Sequence, residues 1–253
     1  MKRVVVVGAS TGLGRCIGIG LAQRGAHVAL LARRVAKVAA AAAEAGNGAL
    51  AIECDVTDPA SCQRAIAEAA AGLGGIDTVI YAAAIGPLVR LKDADAAMWR
   101  ATFDTNVVGA SLVTAAALPH VADSSGNVLF MSTTGASYTP PWPGLGVYQV
   151  TKAALERLVD AWRTEHPGVN FTRVTVGECG GGSGDAQSHF NVDWDRSLAG
   201  EMASAWFARN YLGTALIDVE HLIEMFEALV NSGPSLQIPS ITLIPRPAIP
   251  PGV

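Results

Sequence analysis

Val4-Val5-Val6-Val7-Gly8-Ala9-Ser10-Thr11-Gly12-Leu13-Gly14 stands almost at the start of the chain and decides how the rest is read. Four consecutive valines suit a strand covered on both faces, because β-branched side chains pack well on either side of the pleat. The glycines follow in the spacing Gly-x3-Gly-x-Gly. Glycine accepts positive φ and lets backbone come close. The residues beyond, to about Arg24, read as a helix. A helix N-terminus presents unpaired N–H groups and partial positive charge, which suits a pyrophosphate. Gly8, Ser10, Thr11, Gly12, Leu13 and Gly14 are therefore candidate ligands of a dinucleotide.

Outward from this turn, strand-like and helix-like stretches alternate. His27–Leu31, Ala49–Glu53, Ile76–Tyr81, Asn127–Met131 and Asn170–Val176 read as strands, with Ile241–Ile244 as a last one. Between them lie helical stretches at Val35–Ala45, from Asp58-Pro59 to about Ala71, at Asp95–Leu118 and at Val147–Glu165. Asp58 is a cap ahead of a first-turn proline, and Gly46 and Pro167 are stops. Asp195–Tyr211 and Asp218–Val230 are further helices. This alternation predicts an α/β fold, a single-domain Rossmann-type doubly wound parallel sheet of about seven strands with helices on both faces. One domain is expected over residues 1–253, with a Pro-rich tail at 245–253.

Composition narrows the function classes. Apolar residues make up 50% and charged residues 16%, enough for a large core and too apolar for a disordered chain. A net charge of −4 gives no basic field to collect phosphate backbones, so no nucleic-acid partner is expected. No uninterrupted apolar run approaches the roughly 18 residues of a membrane span, so no membrane partner is expected either. Cys16, Cys54, Cys62 and Cys179 form no Cys-x-x-Cys and have no histidine at zinc spacing, so no metal site is expected. They read as reduced thiols of a cytoplasmic protein.

Gly8–Gly12 also fits Gly-x-Ser-x-Gly, the elbow that carries the nucleophilic serine of α/β-hydrolases. Ser10 would then be the nucleophile. The motif lies too early for that fold, and Gly14 would be unexplained.

The glycine spacing, taken with strand and helix around it, resembles the short-chain dehydrogenase/reductase family over roughly residues 1–176. The resemblance implies a nicotinamide cofactor. The second strand ends Leu31-Ala32-Arg33-Arg34. Ala32 stands where members using NAD carry aspartate, and Arg33 where members using NADP place arginine. A guanidinium matches a 2′-phosphate in charge and fork geometry, so Arg33 and Arg34 point to NADP(H) rather than NAD(H). Asp55-Val56 is similar to the family's adenine-binding pair. Ala82 and Ala83 replace an asparagine-rich stretch but remain small enough for close approach to a cofactor.

Tyr148 and Lys152 form Tyr-x3-Lys, one helical turn apart on one face. An ammonium beside a phenol favours the phenolate, and a shift of about three units corresponds to roughly 4 kcal/mol. In the family this tyrosine is the general acid/base, and the lysine also binds the nicotinamide ribose. Asn106, in Asn106-Val107-Val108-Gly109, resembles the family's helix-bending asparagine, which holds a water in a proton relay. A mid-helix asparagine is otherwise unfavourable. The hydroxyl that orients the substrate is expected just past the fifth strand, at Thr133 or Ser132, with Thr134 as a fallback. Counting back the usual 13 residues from Tyr148 reaches Gly135, so the loop is longer here.

Past Val176 the resemblance thins. Cys179-Gly180 stands where the family has the Pro-Gly turn over the nicotinamide, and Ser183 is the candidate for the threonine that follows. Cys179 has no neighbouring histidine to activate it as a nucleophile. Residues 177–215 carry His189, Phe190, Trp194, Met202, Trp206, Phe207 and Tyr211, which with Trp142 and Leu145 would form a substrate lid over an apolar pocket or simply pack inward. Glu178 and Asp185 read as solvated. The expected function is a carbonyl/alcohol oxidoreductase acting on a small molecule. The alternative is a dinucleotide-binding regulatory protein with little turnover. The family also implies a homodimer or homotetramer, built through the helices Asp95–Leu118 and Val147–Glu165.

Overall fold

The computed structural model describes residues 1–182, 187, 190–213, 215–233 and 235–246. Ser183, Asp185, His189 and most of the Pro-rich tail lie outside them. Seven parallel strands form one sheet: β1 Arg3–Val7, β2 His27–Ala32, β3 Leu50–Glu53, β4 Thr78–Tyr81, β5 Asn127–Thr133, β6 Asn170–Val176 and β7 Ser240–Leu243. Their order across the sheet is β3-β2-β1-β4-β5-β6-β7. Chain direction across the sheet therefore reverses between β1 and β4. A crevice opens there at the carboxyl ends of the strands, where ligands of doubly wound sheets bind.

The helices are α1 Gly12–Gln23, α2 Val35–Ala45, α3 Pro59–Leu73, α4 Ala96–Phe103, α5 Gly109–Asp123, α6 Thr134–Ser137, α7 Gly146–Glu165, α8 Arg196–Ala208 and α9 Val219–Val230. The valines of β1 show why the run is continuous. Val4 and Val6 enter the core formed with Ile17 of α1, Val38 of α2 and Phe226 of α9. Val5 and Val7 enter the opposite core, with Ile66 of α3, Val113 of α5 and Val159 of α7. Successive strand side chains point to opposite faces, and here both faces are covered. Asp58, Asp95, Asp195 and Asp218 each cap a helix by accepting a first-turn N–H.

Three details depart from the sequence expectation. The fifth strand runs on to Thr133, which places two hydroxyl-bearing residues at its end. The helix expected to stop at Leu118 passes through Pro119 to Asp123. Proline removes one helical N–H, and the carbonyl it leaves unpaired, on exposed Ala115, is open to water. The same helix is interrupted by a wide π-helical turn at Asp104–Val108 between α4 and α5.

Ala96–Asp123 is the one stretch among the described residues long and apolar enough to cross a bilayer. Here its inward face packs under the sheet through Gly109, Ala110, Val113, Ala117 and Val121. Gly109 allows this packing. A Cβ there would lie 2.8 Å from the Tyr81 hydroxyl and 2.9 Å from Val56. Gly109→Ala is expected to lower unfolding stability by about 1–3 kcal/mol, read as a lower urea midpoint with unchanged slope.

Candidate active site

Two crossing points build the site. At the first, Gly8 has φ +90°, and a Cβ on it would sit 2.5 Å from the Ala83 amide nitrogen. The backbones leaving β1 and β4 therefore touch, and only glycine fits. The first-turn amides of α1 follow directly. Thr11, the cap residue, makes no side-chain bond to them. Its hydroxyl and that of Ser10 instead accept from Arg34 Nη2, at 2.9 and 2.8 Å. The helix N-terminus thus faces the cavity with unpaired N–H groups.

At the second crossing point, Asn106 is fully buried in the π turn. Its Nδ2 donates to the Ile85 carbonyl and to Thr151 Oγ1, each at 2.9 Å. Its Oδ1 accepts from the Ile85 amide at 2.9 Å. The side chain ties the segment after β4 to α7. It also does what the asparagines replaced by Ala82 and Ala83 would be expected to do. The Thr105 carbonyl in the same turn accepts from buried Tyr81 Oη at 2.5 Å.

A continuous cavity of about 1060 Å³ runs between these points. At one end stand Arg33, Arg34, Asp55 and Val56, and along its floor Gly8–Gly14, Ala82 and Ala83. At the other end Thr133, Tyr148 and Lys152 meet, and Gly180 also lines the cavity. Arg34, rather than Arg33, reaches the glycine turn. Arg33 acts instead on Asp55, whose Oδ1 accepts from the Thr57 amide and hydroxyl at 2.9 and 2.8 Å. Burial pushes the Asp55 carboxyl up, but the Thr57 donors and the Arg33 guanidinium outweigh it and hold it below the usual carboxylate range.

The hydroxyls of β5 have different partners. Ser132 Oγ, though the residue also lines the cavity, donates to Glu156 Oε1 at 2.6 Å. The Thr133 hydroxyl lies close enough to the Tyr148 phenol to lower its proton affinity. Lys152 Nζ donates to the Met131 carbonyl at 2.8 Å and lies 5.8 Å from the Tyr148 ring centre. The phenol is not lowered by this lysine, as the Tyr-x3-Lys spacing suggests it should be. Burial pushes Tyr148 up, and the Thr133 hydroxyl only partly offsets it. Burial also pulls Lys152 down to about 8, with the Glu156 carboxylate opposing the fall. This pair is a protonated phenol beside a lysine whose charge changes near neutral pH.

Aromatic rings close the lysine end. Phe190 meets Tyr148 edge-on with centroids 4.8 Å apart, and Trp194 lies 5.5 Å beyond it. Trp206 is 6.2 Å from Trp194 and 5.4 Å from Trp142. Indole N–H groups of Trp194 and Trp206 donate to the Gly86 and Pro143 carbonyls, each at 2.8 Å. Met202 and Tyr211 pack behind them. Phe207 does not join, because one residue past Trp206 on α8 it is turned to solvent. Exposed Arg90 holds Glu201 of α8 at 2.5 and 2.7 Å. Residues that sequence reasoning missed include Gln149, whose Oε1 accepts from the Trp142 amide at 2.7 Å, and buried Glu156. The four-residue period from Tyr148 through Lys152 was a signal for Glu156. Gln149 had none, since its partner belongs to a loop.

Two other readings fail on these contacts. Ser10 accepts from a guanidinium, which cannot take its proton, so it is no hydrolase nucleophile. Burial pushes the Cys179 thiol up, away from the thiolate a nucleophile needs.

The family model described as short chain dehydrogenase matches residues 2–192. The chain belongs to the short-chain dehydrogenase/reductase family. Among its relatives, 11-beta-hydroxysteroid dehydrogenase 1A of Arabidopsis thaliana is 33% identical over 182 residues, 70% of this chain and 52% of that one. The chain thus spans about half the length of this curated relative. A short-chain type dehydrogenase/reductase from Mycobacterium marinum superposes with a TM-score of 0.80 at 27% identity, covering 96% of this chain and 93% of that one. An alcohol dehydrogenase from the archaeon Thermococcus sibiricus, solved with 5-hydroxy-NADP, superposes at 0.78 with 21% identity and covers 96% of each chain. At that identity it shows the fold.

Asn106→Ala is expected to leave both backbone groups of Ile85 unpaired, at a cost of about 1–3 kcal/mol per group. Hydrogen exchange at the Ile85 amide should speed up at least about tenfold, while amides of β1 keep wild-type protection.

Proposed function

We propose that this chain is an NADP(H)-dependent oxidoreductase that interconverts a carbonyl and an alcohol on a largely apolar small molecule. The observation that carries this reading is a single cavity with Arg33, Arg34 and a helix N-terminus at one end and Thr133, Tyr148 and Lys152 at the other. Phosphate-matching charge and proton-transfer groups then lie along one elongated ligand. The residues present fit that ligand. The α1 amides have no side-chain cap, and the glycine turn leaves room where side chains would intrude.

When bound, the reduced nicotinamide supplies a hydride to the carbonyl carbon. The remaining work falls to this chain's own groups. Arg34, carried beside the glycine turn, binds the 2′-phosphate with Arg33. Asp55 and Val56 flank the adenine, and Gly180 lies against the nicotinamide half. Lys152 holds the ribose hydroxyls. Tyr148 gives its proton to the substrate oxygen in reduction and takes one back in oxidation. A phenol raised by burial stays protonated and ready to donate. Thr133, beside Tyr148, orients the same oxygen, whereas Ser132 is committed to Glu156. Phe190, Trp194, Trp206 and Trp142 form the wall that excludes water and favours an apolar substrate. Residues 177–215 act as the substrate lid, held by the Arg90–Glu201 pair. The reading also makes the chain a cytoplasmic homodimer or homotetramer, joined through α4–α5 and α7, where exposed Val108 and Val150 lie.

A fluorescence titration of the purified chain should show NADPH binding more tightly than NADH. Arg34→Ala should weaken NADPH about tenfold or more and NADH little. Equal affinity for both nucleotides would overturn the NADP reading. Tyr148→Phe should abolish turnover and keep binding, and Thr133→Ala should cost about 10²-fold in kcat with Ser132→Ala far milder. A Tyr148→Phe chain that loses nothing would mark a regulatory protein instead. Lys152 is charged only below its value of about 8. NADPH binding to the free chain should therefore weaken as pH rises through that value, and Lys152→Met should remove the dependence.

A further inference from the structure

Glu156 has no part in the chemistry above, yet it is a buried carboxylate, only 5% exposed. Tyr148, Lys152 and Glu156 follow one another at four-residue steps on α7 and share a face. Oε1 of Glu156 accepts from Ser132 Oγ at 2.6 Å. Ser132 directly follows Met131, whose carbonyl accepts from Lys152 Nζ at 2.8 Å. Consecutive residues at the end of β5 thus clasp consecutive turns of α7, one by its ammonium and the other by its carboxylate. From the other side, Arg173 of β6 forms a long ion pair with Glu156, Nη1 3.7 Å from Oε2. The hydroxyl bond and the long ion pair occupy one oxygen each of this carboxylate. Lys152 is the buried cation that feels it.

We propose that Glu156 is a positioning residue that holds Lys152 in its ammonium form, docked on the Met131 carbonyl. The inference rests on the reading of Lys152 as the group that holds the cofactor ribose and supports Tyr148. The groups that face Lys152 are Tyr148 and Glu156 from α7 and the Met131 carbonyl from β5, and Arg173 reaches it only through Glu156. A lysine in this setting is discharged by burial, and Glu156 is the group that opposes that discharge. Ser132 holds the carboxylate in place.

The chain has four lysines, Lys2, Lys37, Lys92 and Lys152, so each side-chain signal is resolvable by NMR. The full chain labelled with 13C,15N-lysine is titrated without cofactor or substrate, with Lys152 assigned through Lys152→Arg. The Lys152 midpoint is expected near 8 in the wild type, lower by about one unit or more in Glu156→Gln, and close to the wild type in Glu156→Asp. A purely structural role predicts the reverse, with the isosteric glutamine tolerated and the shorter aspartate disruptive. An unchanged midpoint in Glu156→Gln overturns the proposal. Should that variant not fold, Arg173→Gln reads the same coupling from the far side. The carboxylate then faces Lys152 alone, the midpoint rises, and a midpoint that stays or falls overturns the proposal. Because no nucleotide is present, these results stand apart from whether NADPH binds or turnover occurs.

Discussion

The carboxamide of Asn106 joins three pieces of chain. It sits in a helix turn widened to π geometry, bonds both backbone groups of Ile85 and reaches Thr151 beside the catalytic helix face. A regular α-turn would have spent its backbone groups internally. The widened turn frees the Thr105 carbonyl for Tyr81 and turns the asparagine inward. The segment after β4, which passes over the glycine turn, is thereby fixed relative to Tyr148 and Lys152. Cofactor end and proton-transfer end are held in one frame by this one side chain.

Within that frame the energetics are those of desolvation. Burial raises the Tyr148 phenol and lowers the Lys152 ammonium, and both shifts oppose the charged forms. Without a ligand the pair is closer to a neutral proton donor with a labile cation than to a phenolate with its counter-ion. The Glu156 carboxylate opposes the fall at Lys152.

The aromatic wall answers a different need. Phe190 reaches Tyr148 because Gly86 has no side chain. A Cβ there would lie 2.1 Å from the ring. Trp142 stays in the wall because Gln149, next to the catalytic tyrosine, binds its amide. Gly135 clears the space that Gln149 occupies. The longer loop between β5 and α7 is thus an organised part of the site, and it carries Trp142 into the substrate end.

Much of this was legible in the chain itself. Four valines and a Gly-x3-Gly-x-Gly turn specify a doubly covered strand and a close backbone approach, since few other residues satisfy either demand. The mid-helix asparagine marks the chemistry because it is unfavourable in an ordinary helix, and the Tyr148/Lys152 spacing does so through its place after the fifth strand of a dinucleotide fold. Sequence could not choose between Ser132 and Thr133, since the choice depends on the bond Ser132 makes to Glu156, 24 positions away. It could not choose between Arg33 and Arg34 at the glycine turn, because neighbouring strand-end residues point in opposite directions only once the strand is placed. Local geometry and periodicity are properties of nearby residues, so the sequence determined the elements and their chemical vocabulary. Which polar group meets which, and how far burial moves each one's proton affinity, belongs to contacts between distant segments, and only the tertiary structure decided it.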